Sequence, residues 1–160
     1  MRDQGPGNRE QRLEDREQGP ESWERKLPAR SRERNGDASV LRPRSFRDLI
    51  VWQRAIQLSV EIYRLTDDFP KSEVYGLSSQ LRRAAVSIAS NIAEGYGRIT
   101  KGEYVQFLGH ARGSLCEVQT QLVIAQELGL SSESKRERCE QFAHEVGKML
   151  SAILDKIRNR

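Results

Sequence analysis

"LRRAAVSIASNIAEGYGR", residues 81–98, is the segment that decides the fold prediction for this chain. It opens with two arginines, and residues 84–93 then follow without a charged side chain. A helix on a protein surface normally presents charged or polar residues on the side that faces water. The segment therefore predicts a helix that is covered on more than one side.

This helix carries two apolar stripes. The first is expected to face the core of its own bundle and comprises Leu81, Ala85, Ile88 and Ile92. The second lies on another side of the helix and comprises Val86, Ala89 and Ala93. Since a four-helix core needs one stripe per helix, we expect a second subunit to cover the second stripe in a homo-oligomer. The alternative is that the connector after the first helix, or the N-terminal segment, covers it.

Helical patterns continue upstream of this segment. Ser45 and Asp48 form a capping box, the pattern that starts many helices. The first helix is expected to run from there toward Asp67, with apolar residues at helical spacing: Leu49, Trp52, Ile56 and Tyr63. The second helix is predicted over 78–94, with Gly95 as the residue that ends it.

Two more helices are predicted downstream. Thr100 and Glu103 form another capping box, at the start of the third helix. The apolar residues of this helix alternate steps of four and three: Tyr104, Leu108, Ala111, Leu115, Val118, Leu122 and Ala125. Gly129 is expected to end it, and the fourth helix is predicted from about Ser131 or Ser132.

The links between helices two and three and between three and four are short, which favours antiparallel neighbours. The sequence therefore predicts an all-α, up-down-up-down four-helix bundle over residues 45–160. Residues 1–44 are rich in charged residues, glycine and proline and hold few large apolar residues, a composition typical of disorder. This segment is a regulatory arm, a nucleic-acid tether or an upstream extension of the reading frame, and the sequence leaves these alternatives open.

Composition points away from several classes of protein. The chain has no apolar leader and no apolar run of the roughly 18 residues that a membrane span needs, so we expect a soluble, cytoplasmic protein. Its two histidines, His110 and His144, have no partners at metal-ligand spacing, and no phosphate loop or nucleophile motif is present. We therefore expect no metal, no cofactor and no enzymatic activity.

Three further features of the helices carry structural predictions. Cys116 and Cys139 lie in helical patterns among apolar residues, which predicts two buried thiols. Gly109 and Gly113 form a G-x-x-x-G spacing, which predicts close packing of the third helix. Asn91 lies in mid-helix among apolar residues, where a buried asparagine fixes register or oligomeric state.

The charges are unevenly distributed in the predicted bundle. Antiparallel packing brings eight basic residues to one end: Arg42, Arg44, Arg47, Arg98, Lys101, Lys156, Arg158 and Arg160. Four acidic residues accompany them: Asp48, Glu94, Glu103 and Asp155. An excess of positive charge suits a phosphate backbone, so Arg47, Arg98 and Lys101 are the first candidates for nucleic-acid binding. The alternative is a solvated helix end whose cations complement the helix dipole.

Arg82 and Arg83 are second candidates for nucleic-acid binding. They lie in the first turns of the second helix, where the helix dipole disfavours cations. Either an acidic partner such as Asp67, Asp68 or Glu73, or an external anion, must offset that cost, and we favour the ion pair.

Between about Phe46 and Ile157 the chain resembles the four-helix-bundle family of the proteins encoded in 23S rRNA intervening sequences. The most specific part lies in the second helix, where "YGL" (75–77), "QLRRA" (80–84) and "SNIAEG" (90–95) stand in the family's order. Ala89 departs from the family, in which many relatives have proline.

The resemblance implies a small bacterial protein that forms a homopentamer with a basic surface, and it supplies no catalytic residues. A related branch is the accessory protein of diversity-generating retroelements, which binds nucleic acid and a reverse transcriptase. Two functions therefore remain open for this chain: binding of structured RNA or another nucleic acid, or a scaffold for a protein partner such as a reverse transcriptase.

Overall fold

The structure, a computed structural model, describes residues 43–159 and contains four long helices in that range. They are α1 (Ile50–Thr66), α2 (Leu77–Tyr96), α3 (Lys101–Glu127) and α4 (Glu133–Arg158). Short 3-10 turns at Phe46–Asp48 and Lys71–Glu73 precede α1 and α2. No strand is present in this range, so the all-α prediction is confirmed; the predicted disorder of residues 1–44 falls almost entirely outside the described residues.

The contacts between neighbouring helices show the direction in which each helix runs relative to the next. Between α2 and α3, the Ser87 hydroxyl lies 2.9 Å from that of Ser114, and the Gln121 amide donates to Gln80 at 3.4 Å. Between α1 and α4, the ion pairs are Arg54–Glu145 at 3.0 Å and Arg138–Glu61 at 3.2 Å. Since higher numbers on one helix meet lower numbers on its neighbour, these pairs are antiparallel, and α1 begins at the end of the bundle where α4 finishes.

All four helices contribute to one core, and the predicted stripes of α2 and α3 both lie in it. The first stripe of α2 is completely buried: Leu81, Ala85, Ile88 and Ile92. On α3 the heptad residues from Leu108 to Ala125 are buried as well, while Tyr104 is half-buried at the edge of the core. Each large aliphatic side chain that is fully removed from water contributes roughly 1.5–3 kcal/mol to folding. The predicted core faces of these two helices are therefore confirmed.

The predicted core face of α1 was wrong in phase. The buried residues of this helix are Val51, Ala55, Leu58, Ile62 and Leu65. Trp52 and Ile56 only flank the core, and Tyr63 is exposed. The capping box of Ser45 and Asp48 is present, but it caps the 3-10 turn rather than the first α-helix. The helix α1 begins only at Ile50.

Gly95 does not end α2, which continues to Tyr96 and is capped at Gly97. A Cβ atom at position 95 would lie 2.9 Å from the Cβ of Phe107 and 3.2 Å from the Tyr104 ring. Real Cβ atoms do not approach so closely, so the missing side chain lets α2 and α3 come together here. The glycine therefore serves helix packing rather than helix termination.

Both ends of α3 match the prediction. Thr100 accepts a hydrogen bond from the Glu103 backbone amide at 3.2 Å, and the Glu103 carboxylate accepts one from the Thr100 amide at 3.3 Å. At the other end Gly129 has φ 64°, a left-handed conformation in which glycine is favoured. The Leu130 amide donates to the Ala125 carbonyl at 2.9 Å, which completes a Schellman motif.

Replacing Thr100 by alanine is expected to lower the free energy of unfolding by about 1 kcal/mol, because the amides at the start of α3 lose their cap. Urea unfolding measures the loss. Thr120→Ala is the control, since its hydroxyl bonds only to the Cys116 carbonyl inside α3 and caps nothing. Equal losses in the two variants would show that the cap adds no stability.

The same cap has a pH dependence. Hydrogen bonds from Thr100 hold the pKa of the Glu103 carboxyl below its usual value. A depressed pKa means that the stabilisation is present above the unfolded-state pKa and is lost as the pH falls through the folded-state value. The difference in stability between the natural chain and Thr100→Ala is therefore expected to shrink under acid conditions and to stay constant near neutral pH.

Candidate nucleic-acid interface

One end of the bundle gathers the predicted basic residues. Exposed Arg44 and Arg47 precede α1, and exposed Arg98 and Lys101 flank the loop between α2 and α3. The exposed side chains of Lys156 and Arg158 end α4 at the same end. We call this surface the basic end. Arg42 and Arg160, which were also predicted here, lie outside the described residues.

Two of the four acidic residues of the basic end, Asp48 and Glu103, accept hydrogen bonds from backbone amides. The Asp48 carboxylate accepts hydrogen bonds from the amides of Arg44 and Ser45 at 2.9 and 3.0 Å. Glu103 accepts from Thr100 in the same manner, as described above. Within residues 43–159 neither Arg47 nor Lys101 pairs with a carboxylate. Among the described residues, no carboxylate competes with an external anion for these two charges.

Arg98 is held more firmly than the other cations of the basic end. It forms an ion pair with Glu94, one turn earlier on α2, and its guanidinium lies 4.4 Å from the centre of the Phe107 ring. Both members of the ion pair remain substantially exposed, and such pairs contribute little to stability. A phosphate can therefore compete with Glu94 for Arg98 at small cost, while the Phe107 ring keeps the guanidinium in place.

An apolar depression of about 380 Å³ lies beside these cations. Its lining comprises Pro43, Leu49, Gly95, Tyr96, Arg98, Ile99, Thr100, Lys101 and Tyr104. The Tyr96 hydroxyl donates a hydrogen bond of 2.7 Å to the Pro43 carbonyl, which fixes the chain leading into α1 at the rim. Burial, and to a smaller extent Tyr96, raise the pKa of Tyr104, so this phenol stays neutral at physiological pH. We call this feature the loop depression.

Sequence reasoning identified the cations of the basic end but missed the apolar residues among them. Ile99 is 99% exposed in the loop between α2 and α3, and Leu49 and Tyr96 lie half-buried beside it. The available signal was an isoleucine inside a glycine-containing loop, where an apolar side chain has no core to enter.

Arg82 and Arg83 lie toward the other end of α2, so the structure does not bring them together with Arg98 and Lys101. Arg82 donates to the Thr66 hydroxyl at 2.7 Å and the Asp67 carboxylate at 2.9 Å. The favoured ion pair with Asp67 is thus present, and it accounts for a cation in the first turns of the helix. Arg83 is exposed on a second, larger depression of about 870 Å³.

The second stripe of α2 is only partly open to a partner. Val86 is 44% exposed and lines the larger depression, and Ala93 is half-buried. Ala89 is 4% exposed, because it packs into the core of its own bundle, so its placement on an outward-facing stripe was wrong. Among the uncharged residues 84–93, Val86 and Ser90 are the exposed members.

Asn91 is half-buried rather than buried. Its amide nitrogen donates to the Ser87 carbonyl at 2.8 Å and to the Ser87 hydroxyl at 3.0 Å. The Ser87 hydroxyl in turn meets Ser114 on α3. This polar contact helps to fix the register of α2 against α3, and the role of Asn91 in an oligomer stays a prediction.

One line of residues on the outer side of α3 carries no charge between Gly102 and Val123. The residues that form it follow steps of four and three: Gly102, Gln106, Gly109, Gly113, Cys116, Thr120 and Val123. Cβ atoms added at Gly109 and Gly113 would meet nothing within 4 Å, so the predicted close packing of these glycines does not occur within the described bundle. Cys116 is exposed, which overturns its predicted burial, whereas Cys139 is buried as predicted.

The two thiols are expected to differ in reactivity. Burial, followed by the nearby Glu61 carboxylate, raises the pKa of Cys139 to about 12, so its reactive thiolate is scarce. An alkylating reagent at pH 8 should therefore modify Cys116 in the folded protein and Cys139 only in denaturant. Mass spectrometry after limited alkylation measures this, and equal modification of both residues in the folded protein would contradict the described burial.

The described residues contain no group of three or more His, Cys, Asp or Glu side chains placed to hold a metal ion. Nor does any helix between residues 43 and 159 combine the length and apolar character that crossing a bilayer requires.

The fold and the candidate site place this chain in a class of proteins, the all-α four-helix bundles, with a basic surface at one end. The sequence model of the 23S rRNA-intervening sequence protein family matches residues 47–152, and the chain belongs to this family. It is also similar to the crystal structure of a protein of unknown function from the S23 ribosomal protein family of Bacteroides thetaiotaomicron. That match has a TM-score of 0.60 and 19% identity, and it covers 66% of this chain and 98% of the other. No curated protein matches the chain.

Proposed function

We propose that this protein is a non-enzymatic homo-oligomer that binds structured RNA through its basic end. The observation that carries the proposal is the grouping of Arg44, Arg47, Arg98 and Lys101 at one end of the bundle, with two of the neighbouring carboxylates engaged by backbone amides. Phosphate contacts of this kind supply most of the affinity of non-specific nucleic-acid binding. The family's name refers to an intervening sequence of 23S rRNA, which makes ribosomal RNA the first ligand to test.

Support for self-association comes from the exposed surface around the larger depression, which is lined mainly by residues of α2. Exposed apolar side chains surround the larger depression, including Tyr63, Val74 and Val86. A homo-oligomer would cover this surface and repeat the basic end around its axis, which multiplies the phosphate contacts. Five subunits is the number that the family resemblance implies.

The second candidate function is a scaffold for a protein partner such as a reverse transcriptase. The exposed apolar groups on the larger depression favour it, because a protein partner could cover them as well as a second copy could. The neighbouring genes separate the candidates. A location inside an rRNA intervening sequence favours RNA binding, and an adjacent reverse-transcriptase gene favours the scaffold.

The mass of the full chain in solution tests both halves of the proposal. Light scattering is measured with and without a structured rRNA fragment, at low and at high salt. A closed oligomer whose RNA complex dissociates as salt rises supports the proposal. A mass of 18.3 kDa, that of the monomer, would contradict the proposed oligomeric state. An oligomer that does not bind RNA at low salt would favour the scaffold function over RNA binding.

Replacing Val86 by glutamate is expected to break the oligomer into monomers, because it buries a charge in the proposed interface. Light scattering reads the mass. Ala152→Glu, on the exposed face of α4, makes a similar change away from the larger depression and is expected to leave the oligomer intact. If Val86→Glu keeps the mass of the natural chain, the interface lies elsewhere.

A further inference from the structure

We infer that the loop depression binds an unpaired nucleobase, so that the preferred ligand is RNA with a single-stranded loop or bulge rather than a continuous duplex. This inference rests on the proposed RNA-binding function and adds to it the class of RNA. Three observations carry it: the shape of the depression, its apolar lining and the placement of the cations at its rim.

Because the loop depression is concave, a ligand can fill it only with a group that protrudes from the ligand's own surface. The depression holds about 380 Å³, within the range of about 300–1,000 Å³ that is common for small-molecule pockets. A paired duplex presents its phosphates on a convex surface and keeps the faces of its bases stacked inside. A loop or bulge can turn a base outward, and sequence-specific RNA recognition mostly uses such bases. Only the second kind of RNA offers a flat apolar group to this hollow.

The lining suits the face of a base. Leu49, Ile99 and the two tyrosines, Tyr96 and Tyr104, supply apolar and aromatic surface. Ile99 is almost completely exposed, so covering it with a base removes apolar surface from water at no cost in existing contacts. Tyr96 is held by its hydrogen bond to Pro43 and presents a ring whose position is already fixed. Stacking on aromatic side chains is the usual means by which proteins hold unpaired bases.

The cations stand where the backbone of that nucleotide would pass. Arg98 and Lys101 belong both to the lining of the loop depression and to the basic end. A phosphate on either side of the inserted base would therefore lie beside a positive charge. The depression and the cations form one composite surface, in which the cations bind phosphate and the hollow selects for an unpaired base.

The experiment compares two RNA probes with the full chain: a hairpin with an unpaired loop and a fully paired duplex of the same number of phosphates. Affinities are measured over a series of salt concentrations. The natural chain is expected to bind the hairpin about tenfold more tightly. Ile99→Ser and Tyr96→Ser should each remove most of this preference, with the salt dependence unchanged because no phosphate contact is lost.

Two variants serve as matched controls. Tyr96→Phe keeps the ring and loses only the hydrogen bond to Pro43, so it should retain the preference for the hairpin. Ile50→Ser alters another exposed isoleucine that does not line the depression and should bind as the natural chain does. Since Ile99 contacts little else, Ile99→Ser stays informative if Tyr96→Ser fails to fold.

The outcomes separate the inference from the function on which it rests. Equal binding of hairpin and duplex, unaffected by Ile99→Ser, would overturn the base site and leave RNA binding standing. Binding of neither probe would overturn the proposed function and the base site together. A fluorescent 2-aminopurine in the hairpin loop adds a direct readout. Its emission should change on binding to the natural chain, and an unchanged emission in a bound hairpin would overturn the inference.

Discussion

Reversing the charges of Arg98 and Lys101 together, as Arg98→Glu and Lys101→Glu, is expected to lower the affinity for structured RNA about a hundredfold at low salt. Each reversal removes one phosphate contact and places a negative charge against the RNA backbone. The slope of log affinity against log salt is expected to fall by about two, roughly 0.9 for each lost contact. Electrophoretic or fluorescence titrations at several salt concentrations measure both quantities.

The control for this prediction is a variant with the same change in net charge elsewhere. Lys71, in the turn before α2, and Arg112, in the middle of α3, are exposed and lie away from the basic end, so Lys71→Glu with Arg112→Glu tests the effect of total charge. It is expected to change the affinity far less. Glutamate at position 101 stands at the start of α3, where the helix dipole favours an anion, so the fold should survive. Equal losses in the two double variants would mean that the basic end is no specific site.

Replacing Gly95 by alanine is expected to lower the free energy of unfolding by about 2 kcal/mol, whereas Gly109→Ala should raise it by about 1 kcal/mol. Both changes replace a helical glycine by alanine, which stabilises by about 1 kcal/mol in a helix interior such as that of Gly109 and by less in the last turn, where Gly95 lies. At Gly95 the new methyl group meets the Phe107 Cβ at 2.9 Å, and overpacking of this kind costs about 1–3 kcal/mol or more. At Gly109 it meets nothing within 4 Å.

Urea or thermal unfolding of the two variants measures this contrast. The two variants make the same chemical change, and the main difference between the sites is what surrounds the new methyl group. A gain of stability in Gly95→Ala would contradict the close approach of α2 and α3 at this point. A change in oligomer mass in Gly109→Ala would instead place the outer face of α3 in a subunit interface.

The sequence was most informative where apolar residues are concentrated on one clear stripe. On α3 the heptad from Leu108 to Ala125 has polar neighbours on both sides, so its phase could be read directly. On α1 the prediction included the large residues Trp52 and Tyr63 in the core face, although Trp52 only flanks the core and Tyr63 is exposed. Small Ala55 lies at the centre of that face, and a pattern that weights size overlooks it.

The candidate site was predictable in its charges and not in its shape. Antiparallel topology alone brings Arg47, Arg98 and Lys101 to one end, so residue type and helix order were enough. The loop depression is lined by residues from the start of α1, the end of α2 and the start of α3, together with Pro43. Contacts between segments so distant in sequence leave no periodic pattern. Gly95 illustrates the same limit. The sequence shows a glycine at this position, but it does not show that the residue packs against Phe107 on α3.

The up-down-up-down order has a practical consequence for anyone who handles this protein. Because α1 begins and α4 finishes at the basic end, a purification tag or fluorescent domain joined after the last helix would project over the surface that we propose for RNA. The turn at Gly129, between α3 and α4, stands at the opposite end of the bundle. A short label inserted there would leave the basic end clear and allow the protein to be immobilised with that surface facing solution.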